Sequence, residues 1–301
     1  MSLLLLPLPG NETICDAMAA VLARLQSEPP ERCVFTLHRF PDGESYIRVQ
    51  TPLAGRHVAI ICTLDRPDNK VLPLLFAAAT ARDLGASRVG LVAPYLAYMR
   101  QDRRFIDGEG VTSAYFAALI SRSFDWLVTV DPHLHRRASL SEIYSIPTHV
   151  VHASPGVAEW IRANVRRPLL IGPDAESAQW VAAVAETAGA PFVVLDKVRR
   201  GDHDVSVSVP EIERWRDHTP VLVDDIVSTA RTMIATVQHL QRTSLPAPVC
   251  IAVHPVFAGS AHDELRAAGA GLIVSCNTIA HVSNAIDLSA ELAHAVNRLA
   301  V

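Results

Sequence analysis

The stretch VLVDDIVSTARTM, residues 221–233, sets two carboxylates beside a hydroxyl-rich turn. Its apolar start predicts a buried strand with Asp224 and Asp225 at the tip, and residues 233–242 predict a helix. A turn that opens a helix offers unpaired backbone N–H groups and the positive end of the helix dipole, which suit a phosphate. Three hydroxyls of the turn add donors: Ser228, Thr229 and Thr232.

Carboxylates repel a phosphate, so the two aspartates must face something else. Sugar hydroxyls or a magnesium ion carried by the ligand would suit them, and a phosphorylated sugar satisfies both halves of the site. A simpler alternative makes Asp225 and Ser228 helix caps and nothing more. The apolar strand before the carboxylates and the hydroxyls after them favour the sugar-phosphate site.

Short apolar runs alternate with longer helical patterns along the chain. Seven runs predict strands: 57–64, 88–95, 126–132, 168–174, 191–197, 220–226 and 248–254. Between them, segments 71–86 and 176–190 are rich in alanine and predict helices that end near Gly85 and Gly189. Strand alternating with helix predicts α/β domains, in which helices cover both faces of a parallel sheet.

In such sheets, ligands bind beyond the carboxyl ends of the strands. Polar and charged residues follow several of the predicted strands at that edge: Asp65, Asp131, His133, Asp174, Asp196, Lys197, Asp224 and Asp225. We therefore expect the functional site to lie there.

Length and composition suit a globular protein of two domains. The chain has 301 residues, of which 50% are hydrophobic and 19% charged, so it can bury sizeable cores. Prolines and a glycine in IPTHVVHASPG, residues 146–156, mark a plausible boundary. The net charge of −4 gives no reason to expect a nucleic acid as partner.

Cysteine usage and hydropathy favour a reducing cytoplasm. The five cysteines are scattered without a C-x-x-C pair, which argues against a disulfide framework. The start MSLLLLPLPG lacks a basic leading segment and contains two prolines, so it predicts a buried first strand and not a signal peptide. No run is long enough for a membrane helix. We expect a soluble, cytoplasmic protein without a membrane partner.

Four further stretches, taken with residues 221–233, carry a family resemblance. They are FPDGES (40–45), PYLAYMRQDRR (94–104), VTVDPHLH (128–135) and LDKVRR (195–200). The stretch 221–233 looks like the phosphoribosyl-binding motif of type I phosphoribosyltransferases and of phosphoribosyl pyrophosphate (PRPP) synthetases, and cannot separate them. The other four, in the same order along the chain, resemble PRPP synthetases, also called ribose-phosphate diphosphokinases. The tail, residues 278–296, is also similar to that family's ending.

The resemblance implies two type I phosphoribosyltransferase-like domains, each a mainly parallel sheet flanked by helices. The first would span residues 1–148, and the second, with the ribose-5-phosphate loop, residues 149–284. A C-terminal helix at about 285–301 would pack back on the first domain.

The resemblance also implies the reaction. The family moves the diphosphoryl group of Mg-ATP onto the C1 hydroxyl of ribose 5-phosphate, giving PRPP and AMP. Such a transfer depends on positioning, magnesium and cationic side chains. Lys197 and Arg199 match the catalytic loop, with residues 201–209 as a possible hairpin flap. The ribose-5-phosphate site would comprise Arg199, Asp224, Asp225, Ser228, Thr229, Ala230, Arg231 and Thr232.

The nucleotide and metal sites follow from the same resemblance. ATP would contact Phe40, Asp42, Gly43, Glu44, Arg100, Gln101 and Asp102. In the family the turn of residues 42–44 comes from a neighbouring subunit, which implies a homo-oligomer with shared active sites. Phe40 is either a stacking residue for the base or a core phenylalanine. His133 and Asp174 would hold Mg²⁺, with His135 as an alternative ligand.

The chain departs from the family's pattern at two places, in residues 228–232 and after the stretch 128–135. The family loop usually reads D-T-A/G-G-T, whereas this chain has Arg231 where glycine is usual. Either the backbone is helical at Arg231, or the arginine adds a cation near the phosphate, which we favour. Residues 134–147 lack the family's usual continuation, so regulation by phosphate and ADP is not implied. Two other functions remain open: a phosphoribosyltransferase that consumes PRPP, and a catalytically silent regulatory relative.

Overall fold

The computed structural model describes residues 2–134, 136–172, 178–194, 196–200, 204–208, 212–243 and 245–300. For residues 178–179, 196–200, 204–208 and 212–213 we describe the backbone alone. The chain forms two compact units. The first unit contains Met1–Val151, Thr278–Ala280 and Leu288–Val301, and the second contains His152–Asn277 and His281–Asp287.

The first unit is a parallel sheet with an added hairpin. Its strands are β1 (Leu3–Pro7), β2 (Glu31–Arg32), β3 (Phe35–Arg39), β4 (Ser45–Val49), β5 (His57–Ile61), β6 (Arg88–Ala93), β7 (Trp126–Val130) and β8 (Thr148–Val151). Within residues 1–151 its helices are α1 (Glu12–Leu25), α2 (Val71–Asp83) and α3 (Thr112–Ser123). Six strands pair in parallel in the order β2-β1-β5-β6-β7-β8, while β3 and β4 form a separate antiparallel pair.

The second unit has the same kind of sheet. In chain order it contains α4 (Ser154–Asn164), β9 (Pro168–Gly172), α5 (Ala178–Ala188), β10 (Phe192–Val194), β11 (Asp196–Arg200), β12 (Asp204–Ser208), β13 (Thr219–Val227), α6 (Arg231–Leu240), β14 (Val249–Pro255), α7 (Ala261–Ala267), β15 (Leu272–Cys276) and β16 (Asn284–Ile286). Its parallel order is β10-β9-β13-β14-β15-β16, and β11 and β12 form an antiparallel pair.

Both units repeat one topology in the described residues. Each sheet begins with a strand, a helix and a second strand, continues through an antiparallel hairpin, and then adds four strands on the other side of the first. The order of the strands therefore reverses between β1 and β5 and again between β9 and β13. In open parallel sheets this switch point is where ligands bind.

The strands are buried because helices cover both faces of each sheet. β1 reads LLLLP and every one of its side chains is buried, which confirms the predicted first strand. β7 is equally buried, and β5, β6 and β9 are buried except at their first residue. Strands that are buried on both faces read as continuous apolar runs. The predicted α/β class is confirmed by this architecture.

The structure corrects three sequence-based boundaries. β13 runs to Val227, so Asp224 and Asp225 lie within the strand and not at its tip, because Ile226 and Val227 still pair with β14. α6 begins at Arg231, two residues earlier than expected. At the C-terminus residues 284–286 form β16, and the last helix, α8, spans Ser289–Leu299. α8 packs against α1 in the first unit.

In the described part of the chain, none of the helices combines the length and the apolar character that crossing a membrane requires. The five cysteines are buried free thiols. Burial raises the pKa of Cys15, Cys62 and Cys250 to about 12.

Candidate active site

The candidate phosphate site lies where β13 ends and α6 begins, at the switch point of the second sheet. β9 pairs with β13 over Thr219–Leu222, and β13 then continues to Val227. The 228–232 segment follows directly and leads into α6. Residues 173–177, which follow β9 and include Asp174, lie outside the described residues. The segment thus occupies the edge at which parallel sheets bind ligands.

The backbone of the 228–232 segment is held by the loop after β14. The N–H of Phe257 donates to the carbonyl of Val227 over 2.9 Å, and the N–H of Ala258 donates to the carbonyl of Ser228 over 3.0 Å. Ala230 is buried and adopts the left-handed conformation, with φ 55° and ψ 7°. These bonds fix how the chain enters α6, whose first N–H groups have no partner within the helix.

Arg231 is the first residue of α6 and is exposed. Its backbone is helical, so the arginine does not carry the cost of about 1 kcal/mol that a left-handed conformation imposes. The left-handed residue is Ala230, one position earlier. The chain therefore accommodates an arginine at this position without backbone strain, and its guanidinium is available at the positive end of the helix dipole.

The two carboxylates are partly buried in β13. Asp225 Oδ1 accepts a hydrogen bond from the N–H of Ile226 over 2.7 Å. Because Ala230 is the N-cap of α6, neither Asp225 nor Ser228 caps the helix. The alternative in which these two residues serve only as caps is therefore wrong. Among the described residues, the hydroxyls of Ser228 and Thr229 have no hydrogen-bond partner, which leaves them able to donate to a ligand.

FPDGES forms the tip of the β3–β4 hairpin. The N–H of Phe40 donates to the carbonyl of Glu44 over 2.7 Å, and the N–H of Gly43 donates to the carbonyl of Phe40 over 2.9 Å. Asp42 Oδ1 accepts the N–H of Glu44 over 3.1 Å. Gly43 has φ 97°, a conformation that glycine adopts without strain. The turn is therefore a preformed structure with its side chains in solvent.

Phe40 lies outside the core, with 44% of its surface exposed. Its ring meets His38 edge-on at 4.9 Å, and His38 stacks on Tyr46 at 4.6 Å. The core-phenylalanine alternative is therefore wrong. An exposed aromatic ring on a rigid hairpin suits stacking on a planar ligand.

The segment with Arg100 and Gln101 follows β6 and is organised by Glu109. The carboxylate of Glu109 accepts the N–H groups of Phe105, over 2.7 Å, and Ile106, over 3.1 Å, together with Gln101 Nε2, over 3.1 Å. The backbone N–H groups lower the pKa of Glu109 because they stabilise the ionised form. Arg100 is exposed, whereas Gln101 is already engaged with Glu109.

Asp102 is held inside the protein. Its side chain is 2% exposed, and both oxygens accept from Arg136 Nη1, over 3.2 and 3.3 Å. Arg137 Nη2 donates to the carbonyl of Asp102 over 3.1 Å. The structure thus places this carboxylate in an internal ion pair that anchors the segment carrying Arg100.

His133 follows β7 in the first unit, and Asp131 precedes it with φ 25°. His135 and Asp174 lie outside the described residues. Within the described ranges, no three His, Cys, Asp or Glu side chains come together as a metal cage. Magnesium keeps several waters and takes one or two carboxylates plus substrate phosphates. A magnesium ion that arrives with a phosphorylated ligand therefore does not require such a cage.

Lys197 and Arg199 lie on β11, opposite Val207 and Val205 of β12. Because successive residues of a strand alternate between its faces, these two residues share one face of the hairpin. Of the predicted flap, residues 201–203 and 209 are not described, but residues 204–208 form the predicted second strand.

Sequence reasoning missed three residues that organise the first unit's part of the site. Glu109, Arg136 and Arg137 hold the 100–110 segment, and residue type alone does not identify their partners. The one sequence feature that could have pointed to them is the pair Arg136-Arg137, directly after the stretch 128–135.

Known proteins match this chain over nearly its whole length. Residues 11–123 match the model of the N-terminal domain of ribose phosphate pyrophosphokinase, and residues 139–281 match the phosphoribosyl transferase domain. A ribose-phosphate pyrophosphokinase of Methanobrevibacter smithii is 30% identical over 95% of this chain and 98% of its own. A ribose-phosphate pyrophosphokinase of Halobacterium salinarum is 34% identical over 81% of this chain and 85% of its own.

A solved structure supports the fold. The phosphoribosylpyrophosphate synthetase of Mycobacterium smegmatis superposes with a TM-score of 0.84 over 99% of both chains, at 19% sequence identity. Two six-stranded parallel sheets with the same strand order, and a hydroxyl-bearing turn between β13 and α6, define a phosphoribosyltransferase-like α/β protein.

The chain belongs to the ribose-phosphate pyrophosphokinase family. The family, the fold class and the enzyme class predicted from the sequence are confirmed at this level.

Proposed function

We propose that this protein transfers the diphosphoryl group of Mg-ATP to the C1 hydroxyl of D-ribose 5-phosphate, giving 5-phosphoribosyl 1-diphosphate and AMP. One observation carries the sugar half of the proposal: two carboxylates in β13 lead into a hydroxyl-bearing turn at the start of α6, at the switch point of the second sheet. This pairing of acceptors and donors suits a sugar that bears a phosphate.

In this proposal the sugar phosphate lies on the 228–232 segment. The N–H groups that open α6 and the hydroxyls of Ser228, Thr229 and Thr232 donate to the phosphate oxygens. Asp224 and Asp225 accept from the ribose hydroxyls. Arg231 adds a positive charge beside the phosphate.

ATP contacts the first-unit residues Phe40, Asp42, Gly43, Glu44, Arg100 and Gln101. Phe40 offers its exposed ring to the adenine and Arg100 its guanidinium to the phosphates. Asp102 acts through its ion pair with Arg136, by holding Arg100 and Gln101 in place. Residues 42–44 serve a neighbouring copy in a homo-oligomer, and the enzyme works in the cytoplasm, where its five free thiols stay reduced.

His133 and Asp174 would hold magnesium together with the substrate phosphates. When bound, the ion neutralises charge on the transferring phosphoryl oxygens. Lys197 and Arg199 stabilise the same oxygens, the lysine as a point charge and the arginine as a fork. The C1 oxygen forms a bond to the β-phosphorus of ATP, and the bond from that phosphorus to the oxygen bridging to the α-phosphorus breaks. AMP leaves with that electron pair, and the hydroxyl proton passes to solvent.

The test is to incubate the purified protein with Mg-ATP and ribose 5-phosphate and to follow the products by phosphorus NMR. AMP and PRPP should appear in equal amounts, and only when the sugar is present. Pyrophosphate release that needs PRPP and a base would instead show a phosphoribosyltransferase, and no turnover would show a silent relative. Lys197→Ala should abolish turnover and leave nucleotide binding largely intact.

A further inference from the structure

A cluster of aromatic rings lies directly behind the 228–232 segment in the second unit. Phe257 follows β14, His262 lies in the first turn of α7, and His281 lies between β15 and β16. The ring of Phe257 is 4.8 Å from that of His281 and 5.3 Å from that of His262, and the two imidazoles are 4.9 Å apart. All three follow the carboxyl ends of strands, at the edge where β13 meets α6.

Phe257 connects this cluster to the phosphate segment. Its N–H donates to the carbonyl of Val227, and its ring belongs to the buried cluster that contains Val227, Ala230 and Met233. Its φ is 35°, which is unfavourable for an aromatic residue and persists only when the surroundings enforce it. The imidazole of His281, tilted 34° against the ring, is part of those surroundings.

His281 is held in one tautomer by a chain of hydrogen bonds. Asn284 Nδ2 donates to Ser275 Oγ over 2.9 Å, and Ser275 Oγ lies 2.7 Å from Ser283 Oγ. Ser283 Oγ lies 2.7 Å from His281 Nδ1, and the N–H of Ser283 points at the same nitrogen over 3.2 Å. The backbone N–H of Ser283 can only donate, so Nδ1 accepts it, and the hydroxyl of Ser283 then donates its proton to Nδ1 and accepts from Ser275. Nδ1 is therefore the acceptor, and the ring proton lies on Nε2.

We propose that neutral His281, with its proton on Nε2, is a positioning residue that holds the 228–232 segment in its binding conformation through Phe257. The inference rests on the proposed binding of ribose 5-phosphate by that segment. A proton added to Nδ1 would face two donors of Ser283, so the network holds only the neutral ring. His281 touches no substrate in this account and acts through the Phe257 backbone.

Burial and the neighbouring imidazole of His262 oppose protonation of His281. His262 is the titratable neighbour from α7, and its Nδ1 lies 3.4 Å from Asp263 Oδ1. Neither Phe257 from the loop after β14 nor Asn284 from β16 brings a charge. Burial first, and then His262, lower the pKa of His281 below its ordinary value of 6.5. The fold therefore favours the neutral ring, and this contribution is complete above pH 6.5 and is lost as the pH falls towards the lowered value.

The experiment measures kcat and both KM values of the full-length enzyme from about pH 5.5 to 8. His281→Ala should raise the KM for ribose 5-phosphate about fivefold and leave the KM for ATP and kcat within about twofold. In His281→Asn, the amide oxygen can accept the same two donors of Ser283 without titrating. This variant should recover part of the KM and lose the acid-dependent rise that the wild type shows. His294→Ala, which removes an exposed imidazole from α8, should match the wild type.

The phosphate of the sugar itself titrates near pH 6, so the wild type and His281→Asn must be compared at each pH. The inference is overturned if the two show the same acid dependence, or if His281→Ala changes kcat and both KM values equally. Ser228→Ala separates this inference from the proposed function. If Ser228→Ala raises the KM for ribose 5-phosphate and neither His281 variant does, only the inference fails. If none of them does, the assignment of the sugar phosphate to this segment fails as well.

Discussion

At the scale of single residues, Arg231 shows a conflict between stability and ligand binding. A cation at the first position of a helix faces the positive end of the dipole, which costs about 0.3–1 kcal/mol. Arg242, just past the other end of α6, faces the negative end, where a cation is favourable. In the proposed function, the bound phosphate would offset this unfavourable field at Arg231.

The Arg231→Ala variant should therefore raise the KM for ribose 5-phosphate by about tenfold. The same change should leave the protein equally stable or up to about 1 kcal/mol more stable, because it removes the unfavourable cation. Steady-state kinetics and urea denaturation at low salt measure the two effects. Arg242→Ala is the matched control, with an unchanged KM and a small loss of stability. An unchanged KM in Arg231→Ala would remove the arginine from the phosphate site.

At the scale of elements, the 100–110 segment depends on ion pairs and not on a helix or strand of its own. Asp102 is nearly buried beneath Arg136, and Glu109 gathers two backbone N–H groups. The guanidinium groups of Arg103 and Arg136 both contact the ring of Phe105, at 4.9 and 5.3 Å from its centroid. Arg103 therefore shares the ring contact but not the ion pair with Asp102.

Because Arg136 pairs with Asp102 and Arg103 does not, replacing the two arginines should affect stability differently. Arg136→Ala leaves the Asp102 carboxylate without its partner, so it should destabilise the protein by about 1–3 kcal/mol, because a buried unpaired charge is costly. It should also raise the KM for ATP, since the segment carries Arg100 and Gln101. Arg103→Ala removes the equivalent cation–π contact and should cost less than about 1 kcal/mol. Equal effects of the two variants on the unfolding midpoint would show that the buried pair contributes nothing special.

At the scale of the whole molecule, the two units share one topology although their amino-acid sequences show no clear repeat. The antiparallel hairpin holds the same place in each, β3–β4 with FPDGES in the first and β11–β12 with Lys197 and Arg199 in the second. One topology thus places the residues proposed to contact the nucleotide and those proposed for catalysis on equivalent hairpins. The chain also returns at its end, since α8 packs on α1 of the first unit.

Because α8 packs on α1 of the first unit, a core residue of α8 should affect stability strongly. Leu292 is fully buried, so Leu292→Ala should destabilise the protein by about 2–5 kcal/mol. His294→Ala on the exposed side of the same helix should change stability by less than about 0.5 kcal/mol. Guanidinium denaturation followed by circular dichroism would show the contrast, and similar midpoints would mean that α8 does not stabilise the first unit.

The five buried thiols allow a further test of the whole fold. The thiolate is the reactive form, and burial keeps it protonated in Cys15, Cys62 and Cys250. We expect the native protein to react negligibly with a chromogenic disulfide reagent at pH 7.5 or so, and the denatured protein to release about five equivalents. Rapid labelling of the native protein would contradict the burial of Cys15 in α1, Cys62 directly after β5 and Cys250 in β14.

Local sequence patterns were enough to predict the alternation of strands and helices, the family and the chemistry expected at the sheet edge. These features reside in local patterns: apolar runs such as LLLLP, turn residues such as Gly43, and motifs whose order along the chain is fixed. Such patterns can be recognised in a sequence because each depends on residues that lie close together along the chain. The residue assignments and the domain limits stay predictions that kinetics and mutagenesis must test.

Features that depend on contacts between residues far apart in the chain became visible only in the folded protein. The tertiary structure extended β13 past Asp225 through pairing with β14, and it placed the left-handed residue of the 228–232 segment at Ala230. It paired Asp102 with Arg136 and set His281 behind Phe257. None of these follows from spacing along the chain, because a partner 20 or more residues away is selected by packing and by the need to satisfy buried polar groups.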